Sequence, residues 1–333
     1  MCNDFQRFRV AAGGVGDGFQ DGRFPRRDAS SDAERLGPRP ALPHLRQRFP
    51  LPVSAGLRHN PPMPPAIILA AGRGRRLEHL TDARPKCLLR VGPLALIEHQ
   101  LELLRVHEVE SITVVTGYHA DTVQARLGRR ATCLVNERHE VTNSLYSLWL
   151  AREQARPGFL LLNSDVLFDP EILRRVLASP YPDALAVERR RRFEPEEMKV
   201  ELEGDRIRAM SKQLAPERAH AENVGVLKFS AEGAAVLFGK MEELLAAGAE
   251  QEMCPYAFDA IAAGRPLHAV PIEGLPWIEI DFVGDLRRAQ EEVWPAIVAR
   301  QQAARVCAQG ASASGGAANE TAPATNPTTV SRN

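Results

Sequence analysis

A glycine-rich turn that follows an apolar run has the composition of a phosphate-binding loop. The sequence reads Leu69-Ala70-Ala71-Gly72-Arg73-Gly74-Arg75-Arg76-Leu77, and Arg84-Pro85-Lys86 follows about ten residues later. Glycine tolerates the dihedral angles of such a turn and lets phosphate approach backbone N–H groups that converge on the anion. A Gly-x-Gly turn by itself is most often only a tight turn, so the later motifs decide its meaning.

Two well-known phosphate loops do not fit these residues. A Walker loop closes with Gly-Lys-Ser/Thr, whereas arginines stand in the corresponding positions here. A dinucleotide-binding fingerprint needs a third glycine where Leu77 stands and a long helix after it, which Pro85 interrupts. A nicotinamide-dependent oxidoreductase is therefore disfavoured.

The segments that must position this turn alternate between strand and helix patterns. Strands are predicted at 66–71, 111–116, 132–135, 159–163, 183–187 and 267–272. Helices are predicted at 94–107, 119–127, 144–155, 170–178, 231–246, 253–263 and 286–302. This alternation predicts an α/β, Rossmann-like fold with a mostly parallel sheet flanked by helices. Ligands of such sheets bind at the carboxyl ends of the strands.

A different pattern enters in the second half of the chain. Two runs of alternating polarity, 198–203 and 206–211, flank Gly204-Asp205 and predict a small antiparallel hairpin, and a further strand is predicted at 222–229.

The overall composition excludes several function classes. Lys+Arg and Asp+Glu are both 42, so the net charge is zero and no global field would attract nucleic acid. The run of four arginines at 189–192 is interpreted as a solvated face, or equally as a segment near an anionic substrate. No apolar run is long enough to span a membrane. The five scattered cysteines predict neither a disulfide framework nor a zinc site, which favours a cytoplasmic protein.

The two ends of the chain differ from its middle. Residues 1–62 are rich in Gly, Pro and Arg without a regular period, which predicts a disordered extension, and Met63 could be the natural start. Residues 303–333 form a Gly/Ser/Ala/Thr/Pro-rich stretch that predicts a flexible tail. The domain is therefore expected to span 63–302, and no signal for an oligomeric state is present.

The turn and the Arg-Pro-Lys motif together resemble those of the sugar-phosphate and choline-phosphate nucleotidyltransferase superfamily. Further segments resemble its phosphocholine cytidylyltransferase branch: Asn136-Glu137, Thr142-Asn143-Ser144-Leu145-Tyr146-Ser147-Leu148-Trp149-Leu150-Ala151, Leu162-Asn163-Ser164-Asp165-Val166 and Trp277-Ile278-Glu279-Ile280-Asp281. The resemblance covers about residues 65–295. It implies a nucleotide-diphospho-sugar transferase fold and Mg²⁺-dependent transfer of a nucleotidyl group, with CTP favoured as donor and phosphocholine or a similar phosphorylated amine or phosphonate as acceptor.

The resemblance also implies roles for particular residues. Arg76 would grip the β- and γ-phosphate oxygens and Lys86 the α-phosphate and the incoming phosphate, so these two are the candidate catalytic residues. The nucleotide would contact Leu69, Ala70, Ala71, Gly72, Gly74, Arg76, Lys86, Thr116 and Gly117. Asp165 and Asp281, each at the end of a predicted strand, would hold the Mg²⁺. Each aspartate could instead cap the helix after it, so that alternative stays open.

The acceptor is expected to face the region after residue 188. A trimethylammonium group would be bound by aromatic faces and carboxylates. The candidates for this group are Tyr146, Tyr256, Trp277, Glu279 and Glu188. The resemblance adds Lys199 and Lys212, which could hold the acceptor phosphate, and Asn143 and Glu222 as further acceptor residues. Trp277 and Tyr146 could equally be core residues. The alternatives for the whole protein are a sugar-1-phosphate or inositol-1-phosphate nucleotidyltransferase and a nucleotide-binding regulatory domain without catalysis.

Overall fold

The computed structural model describes residues 63–314, with side chains described as far as residue 307. The strands are β1 (Ala66–Ala70), β2 (Arg90–Val91), β3 (Leu94–Ala95), β4 (Ile112–Thr116), β5 (Thr132–Val135), β6 (Gly158–Asn163), β7 (Val166–Phe168), β8 (Ala184–Arg189), β9 (Lys199–Glu203), β10 (Arg206–Ser211), β11 (Ala221–Ser230), β12 (His268–Pro271) and β13 (Trp277–Glu279). The helices are α1 (Leu96–Val106), α2 (Ala120–Leu127), α3 (Ser144–Leu150), α4 (Arg152–Ala155), α5 (Pro170–Ala178), α6 (Ala231–Ala246), α7 (Cys254–Ala262), α8 (Val283–Arg288) and α9 (Trp294–Ser314).

A mixed sheet runs through the described part of the chain in the order β5-β4-β1-β6-β11-β8-β12-β10-β9. The pairs β5–β4, β4–β1, β1–β6 and β8–β12 are parallel. Strands β11 and β10 are antiparallel to both of their neighbours in this order, so they run against the other strands. The predicted α/β fold with a mostly parallel sheet is confirmed, and so is the antiparallel hairpin β9–β10.

Both faces of the sheet are covered, which explains why its strands are apolar throughout. In β1, Ile68 packs in one buried cluster and Ile67 in another, because successive strand side chains point to opposite faces. Leu101 of α1 belongs to the first cluster, and Phe258 of α7 to the second.

Several predicted boundaries need correction. The helix predicted at 144–155 is interrupted at Ala151, so α3 and α4 are separate. The single helix predicted at 286–302 is divided in the structure: α8 ends at Arg288, a π-helical turn covers Ala289–Val293, and α9 runs from Trp294 to Ser314. Residues 303–314 are therefore helical, although their composition predicted part of a flexible tail. The predicted extension at 1–62 and the tail beyond 314 lie outside the described residues.

Helix caps in the structure decide one alternative that the sequence leaves open. Asp169, not Asp165, caps α5: its side chain accepts a hydrogen bond from the backbone N–H of Glu171 at 2.9 Å. At the start of α8, the side chain of Asp285 accepts hydrogen bonds from the backbone N–H groups of Asp281 and Phe282. The capping role considered for Asp165 and Asp281 is therefore wrong, and both carboxylates are available for other contacts. No helix within 63–314 is both long and apolar enough to cross a bilayer.

Candidate active site

A cleft of about 340 Å³ lies at the carboxyl ends of β1 and β6. It is lined by Leu69, Ala71, Gly72, Gly74, Arg76, Lys86, Asn136, His139, Thr142, Asn143, Ser144, Ser147, Asn163, Ser164, Asp165, Lys212, Met253, Glu279 and Asp281. The parallel pairing of β1 with β6 places the end of the glycine-rich turn beside the segment that carries Asp165. This is the edge at which open α/β sheets bind ligands.

The structure accounts for the two glycines of the turn in different ways. Gly74 has a φ of +72°, a left-handed conformation that glycine adopts without strain, and an added Cβ would lie 3.1 Å from the Cβ of Lys86. At Gly72, an added Cβ would meet nothing within 4 Å. The backbone at Gly72 is therefore open on the side where a side chain would stand, which leaves room for a ligand to approach it.

Lys86 lies between two carboxylates at the floor of the cleft. Its Nζ donates hydrogen bonds to Asp165 Oδ2 at 2.9 Å and to Asp281 Oδ1 at 2.6 Å, and only 9% of the residue is exposed. Burial alone would lower the pKa of Lys86, but the two carboxylates outweigh it and raise the pKa above its ordinary value. The side chain is therefore a fixed positive charge.

Three carboxylates converge around this lysine. Asp165, Glu279 and Asp281 each offer an oxygen, and these oxygens lie within 4.8 Å of one another. Burial, together with Asp165 and Asp281, raises the pKa of Glu279 to about 8. For Asp281, burial acts against ionisation, but the charge of Lys86 outweighs it and lowers the pKa.

A short two-stranded sheet brings these acids together. Strands β7 and β13 pair antiparallel with Glu279 opposite Val166, and the backbone N–H of Ile280 donates to the carbonyl oxygen of Asp165 at 3.0 Å. Glu279 and Asp281 are two positions apart, so extended backbone directs both side chains to the same side. Glu279 was predicted only as an acceptor residue, and this spacing is the signal that could have placed it with the two aspartates.

The three acids suit a divalent metal ion. Oxygen ligands of this kind are those that Mg²⁺ prefers. The Oδ1 atom of Asp165 is buried and has no hydrogen-bond partner in the described structure. Burying a carboxylate oxygen without a hydrogen-bond partner costs free energy unless a ligand binds to that oxygen. The three carboxylates therefore suit a cation.

The opposite wall of the cleft is organised by a buried asparagine. Asn136 donates from Nδ2 to Thr142 Oγ1 and Ser147 Oγ, both at 3.0 Å, and its Oδ1 accepts from the backbone N–H of Arg138. These bonds join the loop after β5 to the first turns of α3. Asn143, a predicted acceptor residue, caps α3 through its bond from the backbone N–H of Ser144. The sequence motif contained these residues, but their structural task was not predicted.

Residues 66–269 match the family model of the MobA-like NTP transferase domain. The chain belongs to this family. The match confirms the nucleotidyltransferase resemblance that the two motifs predicted.

Individual relatives are similar over about one third to two thirds of this chain. CMP-5'-(3-aminopropyl)phosphonate synthase of Streptomyces rubellomurinus is 31% identical over 248 residues, which cover 67% of this chain and 38% of that protein. Choline-phosphate cytidylyltransferase of Streptococcus pneumoniae is 34% identical over 106 residues, 31% of this chain and 45% of that protein. The aligned region thus spans less than half the length of these two relatives. CTP:phosphoglutamine cytidylyltransferase of Campylobacter jejuni is 25% identical over 247 residues, 66% of this chain and 97% of that protein.

Solved structures share the fold. A CTP:phosphocholine cytidylyltransferase from Streptococcus pneumoniae superposes with a TM-score of 0.56 at 23% identity, over 68% of this chain and 97% of that one. The inositol-1-phosphate CTP transferase from T. maritima gives a TM-score of 0.58 at 22% identity, over 70% and 98%. The expected nucleotide-diphospho-sugar transferase architecture is confirmed.

In this NTP transferase domain, several predicted nucleotide residues lie behind the cleft wall. Ala70 and Thr116 are buried in the sheet. Gly117 permits close packing, because an added Cβ there would lie 2.6 Å from the Cβ of His139 and 2.8 Å from the carbonyl oxygen of Ala71. These three residues thus form the support of the turn and do not line the cleft.

The aromatic residues predicted for the acceptor also lie outside the cleft lining. Tyr146 stacks on Trp149 with ring centroids 5.8 Å apart, and the guanidinium of Arg138 lies 5.1 Å from its ring centre. Tyr256 is 48% exposed. Trp277 donates from Nε1 to Glu188 Oε2 at 3.1 Å.

Three of the predicted acceptor residues lie close together, but the cation that they surround is Arg190 of the same chain. The guanidinium of Arg190 lies 5.6 Å from the ring centre of Trp277 and forms ion pairs with Glu188 at 2.5 Å, Glu197 at 2.8 Å and Glu222 at 2.8 Å. Burial raises the pKa of Glu222 to about 7, against the effect of Arg190. The arginine run therefore includes one residue that is held in an internal cage.

Of the two lysines predicted to bind the acceptor, one is buried and the other lines the cleft. Lys199 is buried, and its Nζ donates to the carbonyl oxygens of Pro195 and Lys212 at 3.3 and 2.6 Å. Lys212 lines the cleft, where its Nζ pairs with Glu196 at 3.3 Å. Cys87 is buried in the core, which raises the pKa of its thiol to about 12 and agrees with a packing role.

Proposed function

We propose that this protein is a nucleotidyltransferase that moves the cytidylyl group of CTP onto a small phosphorylated amine or phosphonate and releases pyrophosphate. The observation that carries the proposal is the convergence in one cleft of the glycine-rich turn, Lys86 and the acids Asp165, Glu279 and Asp281. Among the relatives, those named as cytidylyltransferases and as a CMP–phosphonate synthase support CTP as the donor.

The chemistry is an in-line displacement at phosphorus. An oxygen of the acceptor's phosphate or phosphonate attacks the α-phosphorus of CTP, the bond from that phosphorus to the bridging oxygen of the β-phosphate breaks, and pyrophosphate leaves with the bonding pair. No covalent enzyme intermediate is needed. Charge accumulates on the phosphate oxygens, so positioning and neutralisation supply the acceleration.

The chain's own cations have distinct tasks in this proposal. The open backbone at Gly72 receives the triphosphate, and the guanidinium of Arg76 pairs with β- and γ-phosphate oxygens as a planar fork. Lys86, held in place by Asp165 and Asp281, directs a permanent charge at the α-phosphate and at the attacking oxygen. Lys212 lines the same cleft and is the second lysine available to the acceptor phosphate.

A divalent cation belongs to this site in the proposal. Asp165 and Asp281, with Glu279 beside them, would hold Mg²⁺, and when bound the ion neutralises charge on the phosphate oxygens. The unpartnered Oδ1 of Asp165 supports the assignment.

The test is pyrophosphate release with Mg²⁺, with CTP, UTP, dTTP, GTP and ATP crossed against phosphocholine, 2-aminoethylphosphonate, inositol-1-phosphate and glucose-1-phosphate. We expect release with CTP and an amine-bearing acceptor, and none from Asp165→Asn. Release only with a sugar or inositol phosphate would keep the reaction and overturn the acceptor. No release with any pair, from folded protein that binds nucleotide, would favour a binding domain and contradict the proposal.

A further inference from the structure

A second, smaller pocket adjoins the cleft, and its lining contains no residue of the glycine-rich turn. Its volume is about 90 Å³, room for a few heavy atoms. It shares Ser144, Asn163, Lys212, Met253 and Glu279 with the cleft and adds Leu161, Glu196, Met198, Asn223, Leu227, Cys254, Pro255 and Phe258. Because the pocket opens beside Lys212 and Glu279, a group attached to the reacting phosphate would extend into it.

The one exposed carboxylate of this pocket is engaged with the cations of the nucleotide site. Glu196 Oε2 lies 2.8 Å from the guanidinium of Arg76 and 3.3 Å from Nζ of Lys212. In the proposed function, Arg76 pairs with phosphate oxygens of the triphosphate and Lys212 is available to the acceptor phosphate. Glu196 is therefore an anionic partner of Arg76, which also pairs with Asp281 at 3.4 Å.

Binding of a triphosphate changes this arrangement. Phosphate oxygens carry more charge than one carboxylate and match the guanidinium fork better, so they compete with Glu196 for Arg76. The displaced carboxylate would lie at the rim of the smaller pocket with Lys212 as its remaining counter-charge, so a further cation that enters there would interact favourably with it.

The lining of this pocket favours an ammonium group with N–H donors. Its one aromatic residue is Phe258, which is buried in the core, and the cage formed by Trp277 and Glu188 already holds Arg190. A trimethylammonium group has no N–H donors and depends on aromatic faces. A primary ammonium group can donate directly to a carboxylate such as that of Glu196.

We propose that Glu196 binds the ammonium group of the acceptor after the triphosphate has displaced it from Arg76, so that the enzyme prefers acceptors with a primary ammonium over those with trimethylammonium. This inference rests on the proposed function. It makes Glu196 a residue that determines acceptor specificity and that couples acceptor binding to nucleotide binding.

The experiment compares Glu196→Gln with Glu194→Gln in the full chain. Glu194 is exposed on the same loop, has no ion pair among the described residues, and loses the same charge in its variant. The readouts are kcat/KM at saturating CTP for 2-aminoethylphosphonate, its neutral analogue propylphosphonate, phosphoethanolamine and phosphocholine, and the Kd of CTP with Mg²⁺ by calorimetry.

We expect the wild type to use phosphoethanolamine better than phosphocholine. Glu196→Gln should lower kcat/KM for 2-aminoethylphosphonate by about 10- to 100-fold, the range of one charge-assisted hydrogen bond, and leave propylphosphonate unchanged. It should also tighten CTP binding, by roughly threefold, because the competing carboxylate is gone. Glu194→Gln should change neither quantity.

Two results would overturn this role. One is an active wild type in which Glu196→Gln affects the amine and its neutral analogue equally. The other is a CTP affinity that Glu196→Gln does not raise above that of Glu194→Gln. A wild type that binds no nucleotide would instead remove the proposed function and this inference with it.

Discussion

The ammonium of Lys86 lies 2.6 Å from Oδ1 of Asp281, although 195 positions separate the two residues in the chain. The same nitrogen lies 2.9 Å from Asp165. The lysine thus joins the first third of the domain, which carries the glycine-rich turn, to the two acids that follow β6 and β13. Its charge offsets part of the repulsion among three carboxylates that share a small volume.

Replacing Lys86 by methionine should remove catalysis while the fold persists. The variant keeps most of the side-chain volume but loses the charge aimed at the α-phosphate, so we expect turnover to fall by about 10²- to 10³-fold. Pyrophosphate release under saturating CTP measures this loss, with circular dichroism as the check on folding. Lys240→Met, on α6, is the matched control and should retain full turnover. Near-normal turnover of Lys86→Met would show that the lysine has no role in the reaction.

Metal removal should stop the reaction. We expect chelation by EDTA to abolish pyrophosphate release and added Mg²⁺ to restore it. Asp165→Asn should weaken Mn²⁺ binding by at least about tenfold, because it removes the charge of a ligand whose Oδ1 has no other partner. Electron paramagnetic resonance of free Mn²⁺ measures this, and Asp121→Asn on the exposed face of α2 is the control. Equal Mn²⁺ affinity for both variants would contradict the metal assignment.

Alanine at the two turn glycines should separate binding from folding. A Cβ at Gly72 meets nothing within 4 Å, so Gly72→Ala should keep its thermal stability but weaken nucleotide binding, since the methyl group takes the place of the ligand. Gly74→Ala forces an alanine to a φ of +72° against Lys86, which should cost about 1–2 kcal/mol of stability. Thermal unfolding and CTP titration distinguish the two. A strongly destabilised Gly72→Ala would mean that its glycine serves the backbone instead.

Glu222 should make the fold less stable as pH rises. Burial raises the pKa of Glu222 in the folded chain to about 7 from an ordinary value of 4.5, so the folded state binds this proton more tightly than the unfolded state. The protonated carboxyl therefore contributes fully to the free energy of unfolding below about pH 4.5. This contribution is lost as pH rises through 7, and the loss is at most about 3 kcal/mol.

The variant Glu222→Gln tests this dependence. Its stability relative to the wild type, from urea unfolding at pH 5, 6, 7 and 8, should increase with pH over that interval, because glutamine does not ionise. Glu217→Gln, exposed near the same strand, should show a constant difference. A constant difference for Glu222→Gln as well would show that the carboxyl ionises normally within its cage.

Local sequence patterns predicted most of the fold. The bounds of α5 and α6 match the predicted helices, because Pro170 and Ser230 mark their starts and the apolar spacing marks their length. The bounds of α9 were not predictable in this way. The Ala-rich stretch after 302 has no apolar face to distinguish a helix from a flexible tail, yet α9 continues through it.

The residues of the candidate site also fall into two groups, those that the sequence predicted correctly and those that it did not. The turn follows β1 in the sheet, and Lys86, Asp165 and Asp281 were predicted from the resemblance of their motifs to the nucleotidyltransferase superfamily. Residue type predicted that Trp277 and Glu188 bind a cation, the resemblance added Glu222 as an acceptor residue, and the three do surround a cation. That cation is Arg190, and only long-range packing decides that the chain supplies it.

Transfer of the cytidylyl group can be followed in the product itself by ³¹P NMR. Wild-type protein with CTP, Mg²⁺ and 2-aminoethylphosphonate should yield one equivalent of pyrophosphate and a new pair of coupled resonances, one phosphonate and one phosphate, from the P–O–P linkage. Asp165→Asn should yield neither. Consumption of CTP without a coupled pair, or no consumption by folded protein with any tested acceptor, would contradict the account.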